Sequence, residues 1–305
     1  MSSSTENRRP LWREILISST LVRKPNSVHF RALSILFLWP ILFTLNVYPS
    51  FHLSHFHPDY DFTIFTQLSL SNFEIMALIM CTLFLVLFYL CTIATFTYSA
   101  VQASYGRPIN LVSSIKSIKN SFFPLLSTFI ISHTILISIT LIFSIVLALL
   151  FRLIQFKYNL NHFIIFALIV LVPILVWLQV NWSLAYVLAV VESKQGYETL
   201  RRSAYLVKGV RSIALSMVLF YGLAMGCSLG GCSIYLVIIG KAKGEQWSFV
   251  MVILLQIFQS LEGAYVMMNQ YLVGNAVLYT YCKDLNDQKL SGDNEFGSEY
   301  VSLMV

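Results

Sequence analysis

Six long runs of apolar residues alternate with short polar segments along the chain, at about 32–51, 74–101, 122–151, 162–191, 212–239 and 248–281. A helix needs about 20 consecutive apolar residues to cross a hydrocarbon core that is ~30 Å thick, and each run is long enough. Several runs exceed this length, which predicts tilted helices or helices that extend past the interface. The pattern therefore predicts an all-α fold, a bundle of six transmembrane helices.

Composition strengthens this prediction. The 305-residue chain is 57% hydrophobic and only 11% charged, with a mean hydropathy of +0.73. A soluble domain carries roughly 25% charged residues because its surface must be solvated, so a soluble fold is excluded. We expect no cleaved signal, since a basic leader precedes the first run and no small-residue cleavage site follows it. The predicted domains are a cytosolic leader with an amphipathic helix (1–31), a membrane domain (32–282) and an acidic, disordered cytosolic tail (283–305).

Basic residues predict which side of the membrane each segment faces. Sixteen Lys and Arg residues lie in the leader, the second and fourth loops and the tail, and only four lie in the loops of the opposite side. The positive-inside rule then places both termini in the cytosol of an endomembrane or plasma-membrane protein. The net charge of +6 does not point to nucleic acid. It indicates contact with anionic lipid headgroups, worth about 1 kcal/mol per cation near the surface.

A short motif recurs at the ends of two runs. The pattern Val-[Gln/Glu]-x3-Gly occurs at Val101–Gly106 and at Val191–Gly196, and a basic helical segment follows each copy. The leader supplies a third amphipathic segment. We predict three repeated hairpins, each led by a surface helix whose apolar face is buried in the headgroup region. Glycine would permit the sharp turn from span to surface helix. Chance similarity among hydrophobic hairpins is the alternative.

The most specific pattern lies between Trp182 and Gly209. It reads Val-Glu-x3-Gly-x3-Leu-x2-Ser-x4-Lys-Gly, with motif positions Glu192, Gly196, Leu200, Ser203, Lys208 and Gly209. It resembles a plant family of polytopic, six-span membrane proteins of uncharacterised function. It is more distantly similar to the membrane domain of bacterial glycerophosphodiester phosphodiesterases. The resemblance implies a fold and a plant membrane setting. It implies no hydrolase activity, since no soluble segment is long enough for the phosphodiesterase barrel.

Charged residues of this segment are expected to act at the membrane surface. Glu198 is predicted to pair with Arg201 or Arg202 at helical spacing. Glu192 is predicted to accept hydrogen bonds from the N-terminal end of the surface helix. The predicted contacts to lipid phosphate come from Arg201, Arg202, Lys208 and Arg211.

The last apolar run carries an acidic residue, Glu262, near its middle. An ionised carboxylate there costs at least ~2.5–3.5 kcal/mol unless it is paired or hydrated. A stripe of polar residues shares one helical face with it, and further polar residues are expected at similar depth in the third and fourth spans: Gln259, Asn269 and Gln270, then His133, Gln179 and Asn181. One hypothesis is a small-solute or proton-coupled transporter that titrates Glu262. The favoured hypothesis is an interhelical hydrogen-bond layer that locks the bundle.

Two further features are weaker. The spacing of Gly222, Gly226 and Gly230 predicts a flat helix face for close packing within the bundle, with homodimerisation as the alternative. His52, His55 and His57 in the first external loop form a weak metal candidate, but their spacing matches no standard metal motif.

No nucleophile, protease or nucleotide-binding signature occurs in the sequence, so no enzymatic activity and no cofactor are predicted. The leading hypothesis is a non-enzymatic membrane protein that contacts anionic lipid, either as a membrane-organising module or as a partner subunit. Protein partners and a homo-oligomer both stay open.

Overall fold

The computed structural model describes residues 12–45, 72–153, 160–241, 258 and 262–287. Within these ranges the regular structure is entirely helical. Helix α2 contains a π-helical turn at Ser34–Leu38. The helices are α1 (Trp12–Arg23), α2 (Ser27–Leu45), α3 (Asn72–Ser104), α4 (Leu111–Leu153), α5 (Leu160–Asn181), α6 (Ala185–Val191), α7 (Gly196–Val207), α8 (Arg211–Lys241) and α9 (262–287).

Five stretches of the described chain are long and apolar enough to cross a membrane. They are Ser27–Leu45, Ile75–Ser104, Leu111–Leu150, Ile169–Val191 and Arg211–Ser228. Each overlaps one of the first five predicted runs, so the prediction of a helical membrane fold is confirmed. The sixth run is described from residue 262 onward, where it forms α9, and most of its earlier part lies outside the described residues.

The surface of these helices explains why they need a membrane. Large apolar side chains are exposed along α4, among them Ile137 at 65%, Leu141 at 59% and Leu149 at 54%. A soluble monomer rarely exposes a contiguous apolar patch of more than a few hundred Å². Hydrocarbon solvates such side chains without cost, whereas water does not.

Helix α4 differs from the predicted organisation. A separate surface helix was expected after Gly106, followed by a third span. Instead one helix of 43 residues runs from Leu111 to Leu153. At 1.5 Å per residue it is about 65 Å long, roughly twice the thickness of the hydrocarbon core. Its first turns carry Lys116 and Lys119, both exposed. The segment contains no glycine that could end a helix, and Pro124 is accommodated within it.

The short helix α6 is largely buried. Ala185, Leu188 and Ala189 of this helix are 0% exposed. It contacts α3, α4 and α7, and a turn at residues 182–184 joins it to α5. The turn lets α5 and α6 follow one another as a single kinked span. Because α6 packs against three helices, its contacts also determine where the residues that follow it begin.

Candidate functional site at the elbow after α6

The chain reverses direction in the five residues that follow α6, here called the elbow (192–196). Two residues of the elbow have left-handed backbone conformations, Ser193 with φ 53° and Gly196 with φ 59°. Gly106 has φ 67° at the end of the other motif copy. A left-handed conformation is unfavourable for a residue with a Cβ and is readily adopted by glycine. The turning role predicted for both motif glycines is therefore confirmed.

Gly196 rests directly on helix α4. Its backbone N–H donates a hydrogen bond to Thr128 Oγ1 over 3.2 Å. A Cβ at this position would lie 2.5 Å from Ile131 Cδ1 and 3.2 Å from Ser127 Oγ, so only glycine fits without a shift. Thr128 Oγ1 also lies 3.5 Å from Thr199 Oγ1 of α7. The elbow is thus seated on α4 through both backbone and side-chain contacts.

Helix α7 turns its apolar face into the protein. Leu200, Ser203 and Val207 are buried, and Ser203 Oγ donates a hydrogen bond to the backbone oxygen of Asn181 over 2.8 Å. The prediction that this helix buries its apolar face in lipid headgroups is wrong. Helices α4, α5 and α6 cover that face instead. Four motif residues, Glu192, Gly196, Leu200 and Ser203, are therefore explained by packing or by contacts between helices.

Glu192 connects three helices at the elbow. The Tyr279 hydroxyl of α9 donates a hydrogen bond to Glu192 Oε1 over 3.2 Å. Arg202 Nε of α7 lies 3.9 Å from Glu192 Oε2. The expected contact to the start of α7 is not seen, because the N–H of Gly196 points to Thr128 instead. Glu192 acts as a clamp between the end of α6, helix α7 and helix α9.

Glu198 pairs with a different cation from the one predicted. Lys194 Nζ donates a hydrogen bond to Glu198 Oε1 over 2.8 Å, four positions earlier in the chain. This hydrogen bond and the charge of Lys194 lower the pKa of Glu198. The predicted pairing with Arg201 or Arg202 is wrong. Because the ion pair is exposed, it contributes little to the stability of the protein.

The four basic residues predicted to meet phosphate separate into two groups. Arg201, Lys208 and Arg211 are exposed. Arg202 is half-buried, faces Glu192, and places its guanidinium 6.0 Å from the centre of the Tyr205 ring. Three of the four side chains are therefore free to reach a headgroup, and Arg202 serves the elbow. Nothing in the structure explains the glycine at motif position 209.

The polar residues predicted along the last span take part in separate contacts. Asn269 is buried, and its amide donates a hydrogen bond to Ser34 Oγ of α2 over 3.4 Å. Asn181 Nδ2 donates to the backbone oxygen of Trp177 within its own helix. Gln270 is half-buried, Glu262 is exposed in the first turn of α9, and Gln259 lies outside the described residues.

Two of the predicted polar residues do meet, in a small polar cavity between α3, α4, α5 and α6. Its volume is about 140 Å³, and its lining includes His133 and Gln179 together with Ser132 and Tyr186. Ser132 Oγ lies 3.2 Å from the Tyr186 hydroxyl. The sequence indicated His133 and Gln179, but Ser132 and Tyr186 gave no signal in an apolar run.

Sequence reasoning also missed a buried cluster that joins three helices. His29 Nε2 of α2 lies 3.0 Å from Ser99 Oγ of α3, and Ser99 Oγ lies 2.8 Å from Ser114 Oγ of α4. Both serines are 0% exposed and His29 is half-buried, so the cluster links α2, α3 and α4. Serine is too common in apolar helices for such a cluster to be recognised from spacing alone.

The glycine stripe on α8 does not pack as predicted in the part of the chain that the structure describes. Gly222 and Gly226 are exposed, and an added Cβ at either would meet no atom within 4 Å. The surroundings of Gly230 are not described. Close approach occurs instead at two glycines of α9. A Cβ on Gly274 would lie 2.8 Å from Met217 Cε, and one on Gly263 would lie 3.3 Å from Ser228 Oγ.

Within the described ranges, no three His, Cys, Asp or Glu side chains are grouped so that they could hold a metal ion. The weak candidate formed by His52, His55 and His57 lies outside those ranges. It stays a prediction of the sequence.

The helices and their apolar surface define the chain as an α-helical membrane protein. Within that class it belongs to the family described as a domain of unknown function (DUF8558), whose model matches residues 54–295. No curated protein and no solved structure matches the chain. The match covers the elbow and every described helix from α3 to α9, so these features lie within the family's own domain.

Proposed function

We propose that this protein is a non-enzymatic membrane module with six spans, which binds anionic lipid through exposed cations at the cytosolic end of its bundle. The arrangement of the bundle supports this topology. The Tyr279 hydroxyl bonds to Glu192, so α9 meets the end of α6 at one end of the bundle. A sixth span made of α9 and the residues before it would return the chain to that end.

The proposal rests on a group of exposed cations at this same end of the bundle. Arg107 follows α3, Lys116 lies in the first turns of α4, and Arg201, Lys208 and Arg211 lie on α7 and at the start of α8; all are exposed. Each cation near an anionic leaflet contributes about 1 kcal/mol. The left-handed Gly106 and Gly196 support the threefold repeat as well, since both end a span next to a basic segment.

The elbow supplies the rigidity that such a surface needs. Helix α7 is held by Thr128 of α4, by the backbone of Asn181 of α5, and by Glu192 at the end of α6. Its outward residues are therefore presented at fixed positions. Exposed Ile17 and Leu21 on α1, at 60% and 63%, give the leader an apolar strip suited to the interface.

We predict that neutralising three exposed cations weakens binding of anionic lipid. The variant Arg201→Gln/Lys208→Gln/Arg211→Gln should bind phosphatidylserine about a hundredfold more weakly, because the three charges together contribute about 3 kcal/mol. Native mass spectrometry of the purified chain, titrated with phosphatidylserine or phosphatidylcholine, counts the bound lipids. The wild type should prefer phosphatidylserine.

A charge-conserving variant is the matched control. Arg201→Lys/Lys208→Arg/Arg211→Lys keeps every charge at the same positions and should bind phosphatidylserine as the wild type does. The proposal fails if the neutralised variant binds as tightly as the control. It fails equally if the wild type takes up phosphatidylcholine and phosphatidylserine without preference.

A further inference from the structure

A second, larger cleft lies beside the polar cavity, at the apolar surface of the bundle. It lies between α4, α5 and α8, has a volume of about 580 Å³, and is lined by Leu136, Ile137, Thr140, Leu141, Ser144, Leu175, Val176, Gln179 and Val218. Two of these residues, Leu136 and Gln179, also line the polar cavity. Small-molecule sites commonly have volumes of ~300–1,000 Å³, so the cleft is large enough for a ligand.

The cleft and the cavity adjoin one another, and together they offer an apolar part and a polar part. Ser132 marks the polar end and Ser144 the apolar end on the same helix, α4. Twelve residues separate them, which corresponds to about 18 Å along a helix axis. One leaflet of the hydrocarbon core is about 15 Å thick, half of the full ~30 Å. The space is therefore long enough for one lipid chain.

The polar end is built for an uncharged hydrogen-bonding group. No Asp, Glu, Lys or Arg occurs among the residues that line it. A charged head here would find no carboxylate, ammonium or guanidinium group to pair with, and an unpaired charge is costly in an apolar environment. The lining offers hydroxyl groups on Ser132 and Tyr186 and the amide of Gln179. A ligand hydroxyl can both donate to such groups and accept from them.

His133 provides the acceptor at this end. Its Nδ1 lies 2.9 Å from the backbone oxygen of Phe129, and an oxygen that only accepts requires a proton on Nδ1. In the neutral imidazole, Nε2 then carries a lone pair. Within the described residues no group donates to Nε2. The ring also packs on Phe129 with a centroid separation of 3.9 Å and an interplanar angle of 33°, which restricts its rotation.

We infer that this space binds a neutral, single-chain lipid whose head carries a hydroxyl group, such as a monoacylglycerol. The head hydroxyl donates to His133 Nε2 beside Ser132 and Tyr186. The acyl chain follows α4 from Leu136 toward Ser144. Since the exposed Ile137 and Leu141 of the cleft lie in a candidate membrane span, the lipid enters sideways from the bilayer. This site is independent of the anionic-lipid surface, because it shares none of its cations.

Photo-labelling of the full chain in nanodiscs tests the inference. The probe is an alkyne-tagged monoacylglycerol with a diazirine on its acyl chain. It should label peptides from 136–144 and 175–179, at one lipid per chain. Unlabelled monooleoylglycerol should compete, and the oleoyl lysophosphatidic acid, which has the same chain and a charged head, should compete about tenfold more weakly or worse.

Matched variants separate the head from the chain. His133→Phe keeps the ring and removes the acceptor, and should weaken competition by monooleoylglycerol about three- to tenfold, the effect of one neutral hydrogen bond. Thr140→Trp and Ser144→Trp fill the cleft, and each should abolish labelling. Two variants are used so that, if one misfolds, the other still tests whether the cleft binds lipid. Ile142→Trp adds the same bulk to an exposed position of α4 outside the cleft and should label as the wild type does.

Several outcomes would overturn the inference. One is that both cleft-filling variants label as strongly as Ile142→Trp, and another is that His133→Phe leaves competition by monooleoylglycerol unchanged. Equal competition by the charged lipid would also contradict a neutral head. Finally, a photo-crosslinker placed at Ile137 should capture lipid; capture of a second copy of the chain would mean that protein covers the cleft.

Discussion

Replacement of Gly196 by alanine should destabilise the protein by about 2–4 kcal/mol. The left-handed backbone costs an L residue about 1–2 kcal/mol, and Gly196 has φ 59°. A Cβ would also lie 2.5 Å from Ile131 Cδ1. Overpacking of this kind costs typically 1–3 kcal/mol, part of which is relieved because the Ile131 side chain can rotate. The measurement is the temperature at which half of the purified protein remains monodisperse in detergent.

Two other glycines separate the backbone and steric contributions. Gly106 has φ 67° and no atom within 4 Å of an added Cβ, so Gly106→Ala should cost only about 1–2 kcal/mol, the backbone part. Gly209 has neither a left-handed backbone nor a close neighbour, so Gly209→Ala should be neutral or slightly stabilising. If Gly106→Ala and Gly196→Ala lost the same amount of stability, the close packing of Gly196 against α4 would be contradicted.

Loss of the Glu192 carboxylate should be the second large effect. Glu192→Leu removes the acceptor of the Tyr279 hydroxyl and leaves Arg202 without its nearest anion. A hydrogen bond to a charged group contributes about 1.5–3 kcal/mol. The contact with Arg202 spans 3.9 Å between partly exposed groups and adds only ~0–1 kcal/mol. The total loss is expected to be about 2–4 kcal/mol, mostly from the hydrogen bond.

A double-mutant cycle measures the coupling directly. Tyr279→Phe removes only the hydroxyl, and the pair Glu192→Leu with Tyr279→Phe should destabilise less than the sum of the single variants. Glu192→Gln keeps a carbonyl acceptor and should retain part of the coupling to Tyr279. Strictly additive losses would show that the two side chains do not stabilise one another, and the clamp between α6 and α9 would have to be abandoned.

Much of the fold can be read from local features of the sequence. Hydrophobic runs located five candidate spans because length and apolarity are properties of each segment alone. Gly106 and Gly196 were recognisable as turning points because the need for a left-handed backbone is also local. The continuous helix α4 could also have been predicted, because no glycine interrupts Leu111–Leu153.

Contacts between distant segments could not be predicted in this way. Helical periodicity placed Asn269 on a polar face, but its partner is Ser34, which lies 235 positions earlier in the chain. The amphipathic pattern of α7 correctly predicted that one face is buried. The pattern could not show whether lipid or other helices bury that face. The same limit applies to Glu192, whose partner Tyr279 is 87 positions away.

We propose that the elbow and its exposed cations face the cytosol, and the accessibility of single cysteines distinguishes this orientation from the opposite one. On a background in which all five native cysteines are replaced, the variants are Arg107→Cys, Lys208→Cys and His57→Cys. The chain is inserted into sealed microsomes, whose outer face is cytosolic, and treated with a membrane-impermeant maleimide. We predict immediate labelling of Arg107→Cys and Lys208→Cys, and labelling of His57→Cys only after the vesicles are opened. Protection of Arg107→Cys and Lys208→Cys in sealed vesicles, or labelling of only one of them, would rule out a cytosolic position for the elbow and its cations.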